Sequence, residues 1–349
     1  MHQTEDYTFN DKFELESGEY LPGFQLRFTT YGQINEARDN VIWICHALTA
    51  NANFLDWWHG LFGKDKLYDP AKYYIVCANA LGSCYGSTGP LSLNPESGKP
   101  FFHDFPQLTN RDIVRSFDLL RQYLGIEKIH TVIGGSLGGQ HALEWAIMQP
   151  DKIQHLVQLC SNAQHSPWGI AFNESQRMAI ENDPSWQENH AEAGLQGLRT
   201  ARSIALLSYR HYNTYQKSQS ETDLSKADGF RASSYQQYQG DKLAKRFNAF
   251  SYWMLSKAMD SHNVGRDRGT VKQALEKVKA KALFLGVSTD VLFPVSEQEF
   301  LSQHVEGAHL AIINSDYGHD GFLIEIAALT KEINRFYHKV SVKSAVSQD

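Results

Sequence analysis

The chain has 349 residues, of which 42% are hydrophobic and 21% charged, and its formal net charge is −6. This composition is typical of a globular protein large enough for one α/β domain with an insertion. The negative charge argues against nucleic acid or an anionic membrane as the main partner. No apolar run in the sequence reaches the length of a membrane span.

The N-terminal residues and the cysteines bear on the cellular compartment in which we expect the protein. The first residues are polar and acidic and lack the basic-then-apolar pattern of a signal peptide. The four cysteines are dispersed, without a C-x-x-C pair. We therefore expect a cytoplasmic protein with buried thiols, no disulfide and no metal site.

Short apolar runs alternate with helical patterns along much of the chain. The patterns typical of buried strands are those of residues 41–48, 73–78, 130–133, 154–160, 281–287 and 309–313. Apolar spacing predicts helices over residues 113–123 and 321–337. Strands that alternate with helices predict a mostly parallel sheet with helices on both faces, an α/β fold.

Residues 165–271 have a different character. They are polar and rich in Gln, Ser, Asn, Tyr and Trp, with helical patterns over 198–209 and 247–259 and no convincing strand. We therefore predict a helical cap at 165–271, inserted into an α/β core formed by residues 1–164 and 272–349. Such insertions commonly cover active sites.

A G-x-S-x-G motif, formed by Gly134, Ser136 and Gly138, lies between a predicted strand and a helical pattern over 140–146. Strand, sharp turn and helix are the context of a nucleophile elbow, in which the serine hydroxyl is exposed at a helix N-terminus. The motif alone is weak, because a glycine-rich turn with an incidental serine has the same pattern.

An acid and a base follow the serine in suitable places. Asp290 comes after the strand at 281–287, and His319 comes after the strand at 309–313. Taken singly, Asp290 could be a turn former and His319 a structural loop residue. Their order and their positions at strand ends together predict a triad of Ser136, Asp290 and His319.

An oxyanion would need two backbone donors. The N–H of Leu137, which follows the nucleophile, is one, and the N–H of Leu48 in the loop after the strand at 41–48 is our choice for the other. His46, at the start of that loop, is more typical of a structural hydrogen bonder than of a catalytic base.

Several longer strings are more specific than the elbow: HALT at 46–49, LGSCYGSTGP at 81–90, GGSLGG at 134–139, AFNE at 171–174, MDSH at 259–262, DVLFP at 290–294 and GHD at 318–320. Together they resemble homoserine O-acetyltransferases of the α/β-hydrolase type, over about residues 10–338. The sequence departs from the family pattern at Leu137, Ser83 and Asp267, where Met, Gly and Gly are common. None of these departures removes a catalytic side chain.

The resemblance implies acetyl transfer from acetyl-CoA, a substrate and not a permanently bound cofactor, to the hydroxyl of L-homoserine. It implies a ping-pong reaction through an acyl-serine, early in methionine biosynthesis. It further implies that Arg202 holds the substrate carboxylate with help from Tyr209, and that Asp320 holds the substrate ammonium. An arginine fork suits a carboxylate, and a carboxylate suits an ammonium.

Three alternatives stay open: another acyl donor or acceptor such as succinyl-CoA or L-serine, a carboxylic ester hydrolase, and a non-enzymatic binding module. The sequence does not identify the residues that contact CoA. The basic residues Lys242, Lys245 and Arg246 could bind its phosphates or form a solvated helix face. We expect a homodimer through the cap, with Trp168, Trp186 and residues 235–238 as aromatic interface candidates or as cap core.

Overall fold

The computed structural model describes the backbone of residues 2–346 and the side chains of residues 2–342. Met1 and residues 347–349, which belong to the predicted core, lie outside the described residues. The strands are β1 (His2–Phe9), β2 (Phe13–Glu14), β3 (Tyr20–Leu21), β4 (Phe24–Tyr31), β5 (Val41–Cys45), β6 (Tyr74–Ala78), β7 (Ile129–Gly135), β8 (Ile153–Leu159), β9 (Lys281–Val287) and β10 (His309–Ile313). The helices are α1 (Phe54–Trp58), α2 (Asn110–Tyr123), α3 (Leu137–Met148), α4 (Pro167–Glu181), α5 (Leu195–Tyr209), α6 (Tyr212–Gln219), α7 (Arg231–Ala244), α8 (Ala249–Asp260), α9 (Val271–Leu275), α10 (Val295–His304), α11 (Gly321–Ile324) and α12 (Ile326–Val346).

Eight of the strands form one sheet in the order β1-β4-β6-β5-β7-β8-β9-β10. Every neighbouring pair from β6 to β10 is parallel, whereas β4 runs antiparallel to both β1 and β6. The predicted α/β fold with a mostly parallel sheet is therefore confirmed. The six predicted strands are present, and two of them, β9 and β10, have the predicted bounds.

The antiparallel end of the sheet was not predicted. β1 is largely exposed and polar, so it carries little hydrophobic signal. β4 does alternate between buried and less buried positions over its first residues. That alternation is the signal that could have identified β4 as a half-buried strand.

The sheet is covered on both faces by apolar layers. On one face Trp43 of β5 packs edge-on against Trp145 of α3, with ring centroids 4.9 Å apart. On the other face, Ile42 and Ile44 belong to a separate buried cluster that includes Leu329 of α12. Successive strand residues thus enter opposite layers, as the two-residue period of a strand requires.

The parallel direction of β5, β7, β8, β9 and β10 brings their carboxyl ends to a single edge of the sheet. The loops that follow these strands therefore lie together, which is where ligands bind in open α/β sheets. This edge carries the turn after β7, the loop after β9 and the loop after β10, which contain the three predicted triad residues.

Between β8 and β9 the described chain forms helices α4 to α9. The predicted helices at 198–209 and 247–259 correspond to α5 and α8. α5 packs against both α4 and α7. Within residues 2–346, no helix combines the length and apolar character needed to cross a membrane.

Candidate active site

The turn between β7 and α3 holds Ser136 in an unusual backbone conformation, with φ 58° and ψ −127°. A side-chain-bearing residue with positive φ is strained, so the surrounding contacts must hold it there. The Ser136 N–H donates to the Leu159 carbonyl at 3.0 Å, and its carbonyl accepts from the Gly139 N–H at 2.9 Å. The Ser161 hydroxyl donates to the same carbonyl at 2.8 Å.

The glycines of the motif are required by close backbone approach. A Cβ on Gly138 would lie 2.0 Å from the Cys45 carbonyl oxygen, and one on Gly134 would lie 2.2 Å from the Gly138 carbonyl oxygen. Neither backbone oxygen can move aside cheaply. The residues around Ser136 therefore favour a built elbow over a glycine-rich turn with an incidental serine.

His319 and Asp290, the predicted base and acid, are in direct contact. His319 Nδ1 lies 2.7 Å from Asp290 Oδ2, and both residues are buried, with 3% and 5% exposure. Asp290 Oδ1 accepts the backbone N–H groups of Leu292 and Phe293, each at 2.9 Å. Because the carboxylate is anchored from its own loop, it fixes Nδ1 as the protonated ring nitrogen and leaves Nε2 as the acceptor.

The imidazole of His319 is also fixed by aromatic rings. Phe293 stacks on it at 5.2 Å between centroids, and Phe322 and Tyr209 lie at 5.3 and 5.7 Å. Among the described residues Nε2 is buried without a hydrogen-bond partner. The bond between Ser136 and Nε2 is thus not closed in this structure, and such bonds often tighten only when substrate binds.

The two predicted oxyanion donors differ in their surroundings. Leu48 lines the cavity in front of Ser136, whereas Leu137 does not line it and begins α3. His46 holds the loop that carries Leu48: its Nε2 accepts the Ala80 N–H at 2.9 Å and its Nδ1 donates to the Ala47 carbonyl at 2.8 Å. Burial lowers the pKa of His46 to about 4, so this histidine stays neutral and structural, as predicted.

A cavity of about 490 Å³ unites most of the predicted site. Its lining includes Leu48, Asp56, Trp57, Ser136, Arg202, Tyr209, Lys242, Arg246, His319, Asp320, Phe322 and Leu323. The residues come from the sheet edge on one side and from α5 and the α7 region on the other. The predicted nucleophile, base and substrate-binding residues therefore share one enclosure, and the acid Asp290 lies behind the base.

The cavity has opposite charges on its walls. Arg202 makes no hydrogen bond or ion pair to another described residue, and its guanidinium carbon lies 5.5 Å from the Tyr209 ring centroid. Asp320 accepts a hydrogen bond from Arg210 Nε at 3.1 Å through one oxygen. Arg210 was not predicted. It lies 110 positions from Asp320 along the chain, and no sequence signal joined the two.

The basic residues proposed for CoA separate into two groups. Lys242 and Arg246 line the cavity, whereas Lys245 does not. Arg246 also donates to the Thr49 carbonyl at 2.6 Å, which ties it to the loop after β5. Two cations therefore line the same cavity as Ser136, and one of them, Arg246, already donates to Thr49 and to the Tyr85 hydroxyl.

The aromatic interface candidates also divide. Trp168 is 54% exposed and Tyr238 is 59% exposed, whereas Trp186 is 5% exposed and packs against Phe250. Trp186 also packs against His103 of the core, so it is buried between the helical segment and the core and is not available to a partner. The predicted homodimer stays a prediction.

Among the described residues, one group of potential metal ligands is close together: the Cys160 thiol, the Asp290 carboxylate and the His319 imidazole lie within 4.8 Å of one another. The hydrogen bond between Asp290 and His319 already engages two of the three. The group therefore has the geometry of an acid–base pair with a neighbouring thiol. Cys45, Cys77 and Cys160 are buried thiols, as predicted, whereas Cys84 is half-buried.

The strings AFNE and MDSH do not line the cavity. They join α4 to α8, because Asn173 Nδ2 donates to Asp260 Oδ1 at 2.7 Å and Arg177 Nη2 donates to Asp260 Oδ2 at 2.5 Å. Asn173 also contacts His165, whose other ring nitrogen lies 3.3 Å from Gln140 Nε2 on α3. These motif residues connect the helical segment to the helix that begins at the nucleophile turn.

Comparisons with known proteins identify the fold class and the family of this chain. A family described as alpha/beta hydrolase fold matches residues 40–325. A homoserine O-acetyltransferase of Cyclobacterium marinum is 56% identical over 327 residues, which cover 94% of this chain and 93% of the relative.

Two solved structures share the fold. A homoserine O-acetyltransferase from Bacillus anthracis has a TM-score of 0.88 and 24% identity, covering 96% of this chain and 97% of its own. Esterase E22 has a TM-score of 0.88 and 23% identity, covering 96% and 100%.

The fold and the elbow define an α/β hydrolase. At 56% identity over nearly the full length of both chains, the protein belongs to the homoserine O-acetyltransferase family within that fold class.

Proposed function

We propose that this enzyme transfers an acetyl group from acetyl-CoA to the hydroxyl of L-homoserine through an acyl-Ser136 intermediate, in methionine biosynthesis. The observation that carries the proposal is the shared cavity, in which Ser136 and His319 face an unpaired arginine and an acidic side chain. An amino acid with a free hydroxyl has both complementary charges. The 56% identity to a relative named homoserine O-acetyltransferase supports the same reading.

The first half-reaction acylates the enzyme. His319 Nε2 accepts the Ser136 proton while Asp290 holds the tautomer and stabilises the imidazolium that forms. The serine oxygen attacks the thioester carbonyl, and the N–H groups of Leu48 and Leu137 stabilise the developing oxyanion at the N-terminus of α3. The thiolate leaves with the proton from His319, so acyl-serine and CoA are the products.

The second half-reaction transfers the acyl group. Arg202 binds the carboxylate of homoserine and Asp320 its ammonium, which places the substrate hydroxyl near His319. Nε2 takes the hydroxyl proton, the oxygen attacks the acyl-serine, and the proton returns to Ser136. The two charged contacts raise the local concentration of this hydroxyl over that of water.

Ester hydrolysis is the second candidate, because esterase E22 has the same fold with a TM-score of 0.88. The two functions differ in what reaches the acyl-serine. An unpaired Arg202 has no role in hydrolysis of a simple neutral ester, whereas it is complementary to an amino-acid carboxylate. This charge favours transfer.

The test follows thiol release from acetyl-CoA by the purified enzyme with L-homoserine, L-serine or no acceptor, and repeats the series with succinyl-CoA. Sustained release only with acetyl-CoA and homoserine, with parallel lines in initial-rate plots, is the expected result. Equal release without an acceptor would identify a hydrolase. Turnover confined to succinyl-CoA or serine would overturn the proposed substrates and leave the acyl-serine mechanism standing.

A further inference from the structure

The end of β8 lies between the two halves of the proposed triad. In the sheet, β8 is the neighbour of β7, which leads to Ser136, and of β9, which leads to Asp290. The first residues beyond β8, Cys160 and Ser161, are both fully buried. Their position brings them into contact with the nucleophile turn on one side and the acid loop on the other.

Ser161 contacts the nucleophile turn, and Cys160 lies close to the acid and the base. The Ser161 hydroxyl donates to the Ser136 carbonyl at 2.8 Å. The Cys160 sulfur lies within 4.8 Å of both the Asp290 carboxylate and the ring nitrogen of His319. The chain leaves β8 at Cys160 in a left-handed conformation, with φ 45°.

The backbone of Cys160 is itself informative. A non-glycine residue at positive φ is strained and persists only where the surrounding contacts hold it there. The Cys160 N–H donates to the Leu285 carbonyl on β9 at 2.8 Å, which anchors the turn to the acid strand. Glycine would adopt this conformation without strain. The position therefore raises the question of what the Cys160 side chain contacts.

The Cys160 thiol is protonated and can donate a hydrogen bond. Burial and the nearby Asp290 carboxylate both raise the pKa of Cys160 well above that of a free thiol, so the sulfur keeps its proton. A protonated thiol can donate a weak hydrogen bond to a carboxylate. The carboxylate has capacity for it, because each carboxylate oxygen accepts more than one donor.

We propose that Cys160 is a positioning residue for the acid of the triad, with its S–H donating to Asp290 while its left-handed turn presents the Ser161 hydroxyl to Ser136. This inference rests on the proposed roles of Ser136, Asp290 and His319. The S–H would stabilise part of the negative charge of the carboxylate, in addition to the two loop amides that donate to Asp290 Oδ1.

Removing the donor has a defined consequence. More negative charge then faces the Nδ1–H of His319, which favours the protonated imidazole. Acylation needs the neutral imidazole, so the acidic limb of its pH profile moves to higher pH. The other ionisable groups near His319 stay in place: Tyr209, whose ring lies 5.7 Å from the imidazole, and Arg202 and Asp320, which line the same cavity, with Arg210 paired to Asp320.

The experiment measures the burst of p-nitrophenol released from p-nitrophenyl acetate between pH 5 and 9, which reports acylation without CoA or homoserine. Cys160→Ala and Cys160→Gly are expected to move the midpoint of the acidic limb upward by about half a pH unit. Cys160→Ser, which keeps a donor, is expected to retain the wild-type midpoint. Because glycine adopts positive φ without strain, Cys160→Gly also removes the thiol in a variant that is expected to fold, should the alanine variant fold poorly.

Cys77→Ala is the matched control, because it removes another fully buried thiol, from strand β6, which does not adjoin β7, β8 or β9 in the sheet. It should lower stability without moving the limb. Midpoints for Cys160→Gly and Cys160→Ala that coincide with those of wild type and Cys77→Ala would overturn the inference. A wild-type enzyme without a burst would instead overturn the proposed triad.

Discussion

The guanidinium carbon of Arg202 lies 5.5 Å from the ring centroid of Tyr209, so the two side chains share a face of α5 and both line the cavity of Ser136. They are seven positions apart, or two helical turns, which is the spacing that aligns residues on one face. The ring supports the cation from beneath and leaves its fork free for a substrate carboxylate.

Arg202→Ala should therefore separate the two half-reactions. We expect KM for homoserine to rise on the order of 10- to 100-fold, because a charge-assisted bidentate contact is lost. Arg202→Lys should recover only part of this, since an ammonium lacks the fork. The acylation burst with p-nitrophenyl acetate should stay close to wild type.

Arg199→Ala is the control for Arg202. Arg199 is on the same helix but pairs with Asp241 at 2.5 Å and does not line the cavity. Its loss should leave KM for homoserine unchanged. Equal damage to both half-reactions in Arg202→Ala would contradict the assignment of the carboxylate clamp.

Asp320 should be needed for the ammonium of the acceptor. Its carboxylate gives one oxygen to Arg210, at 3.1 Å, and keeps the other for the substrate. Asp320→Asn should raise KM for homoserine, while transfer to a simple alcohol without an ammonium should change little. Asp316→Asn, in the same loop but outside the cavity, is the control. A similar loss with both acceptors would show that Asp320 serves the base and not the ammonium.

Lys242 should contribute to the use of CoA through the phosphates. Lys242→Ala is expected to raise KM for acetyl-CoA about 3- to 10-fold at low salt, with a smaller effect at high salt, because exposed charges are screened. KM for an acetylated pantetheine that lacks the nucleotide phosphates should not change. Lys245→Ala, three positions away and outside the cavity lining, should behave as wild type. A similar rise in KM for both donors in Lys242→Ala would argue against phosphate binding.

Acid should destabilise the fold through neutral buried histidines. Burial lowers the pKa of His46 and His165 to about 4 and that of His262 to about 3. An unfolded histidine titrates near 6.5, so the unfolded state binds more protons between about pH 6.5 and 4. Stability is then lost as pH falls through this window, by about 1.4 kcal/mol per pH unit for each group.

Urea unfolding at pH 7, 6 and 5 measures this slope. His262→Asn should flatten it by one proton while lowering stability at pH 7, because the contact of His262 with the Asn162 carbonyl is lost. His338→Gln, at an exposed position of α12, should leave the slope unchanged. An unfolding free energy independent of pH over this window would refute the linkage.

Much of the candidate site could be predicted because its residues follow strands whose apolar runs are strong. Asp290 and His319 come directly after β9 and β10, so parallel strand direction alone brings them to the edge that holds Ser136. The structure brings the two side chains into contact at 2.7 Å.

Other features depend on contacts that no local pattern records. The turn at Cys160 lies between Ser136 and Asp290 because β8 is between β7 and β9 in the sheet. The order of the predicted strands along the chain does not specify this arrangement. The pairing of Arg210 with Asp320 joins α5 to a distant loop. β1 lacks hydrophobic signal because it pairs only with β4 at the outer end of the sheet.

The proposed mechanism requires a covalent acyl group on Ser136. Mass spectrometry of enzyme mixed with acetyl-CoA in the absence of acceptor, followed by peptide mapping, measures it most directly. We predict one acetyl group on the peptide that contains Ser136, its disappearance when homoserine is added, and no acetylation of Ser136→Ala. An acetyl group on another residue, or turnover with homoserine by Ser136→Ala, would contradict the account.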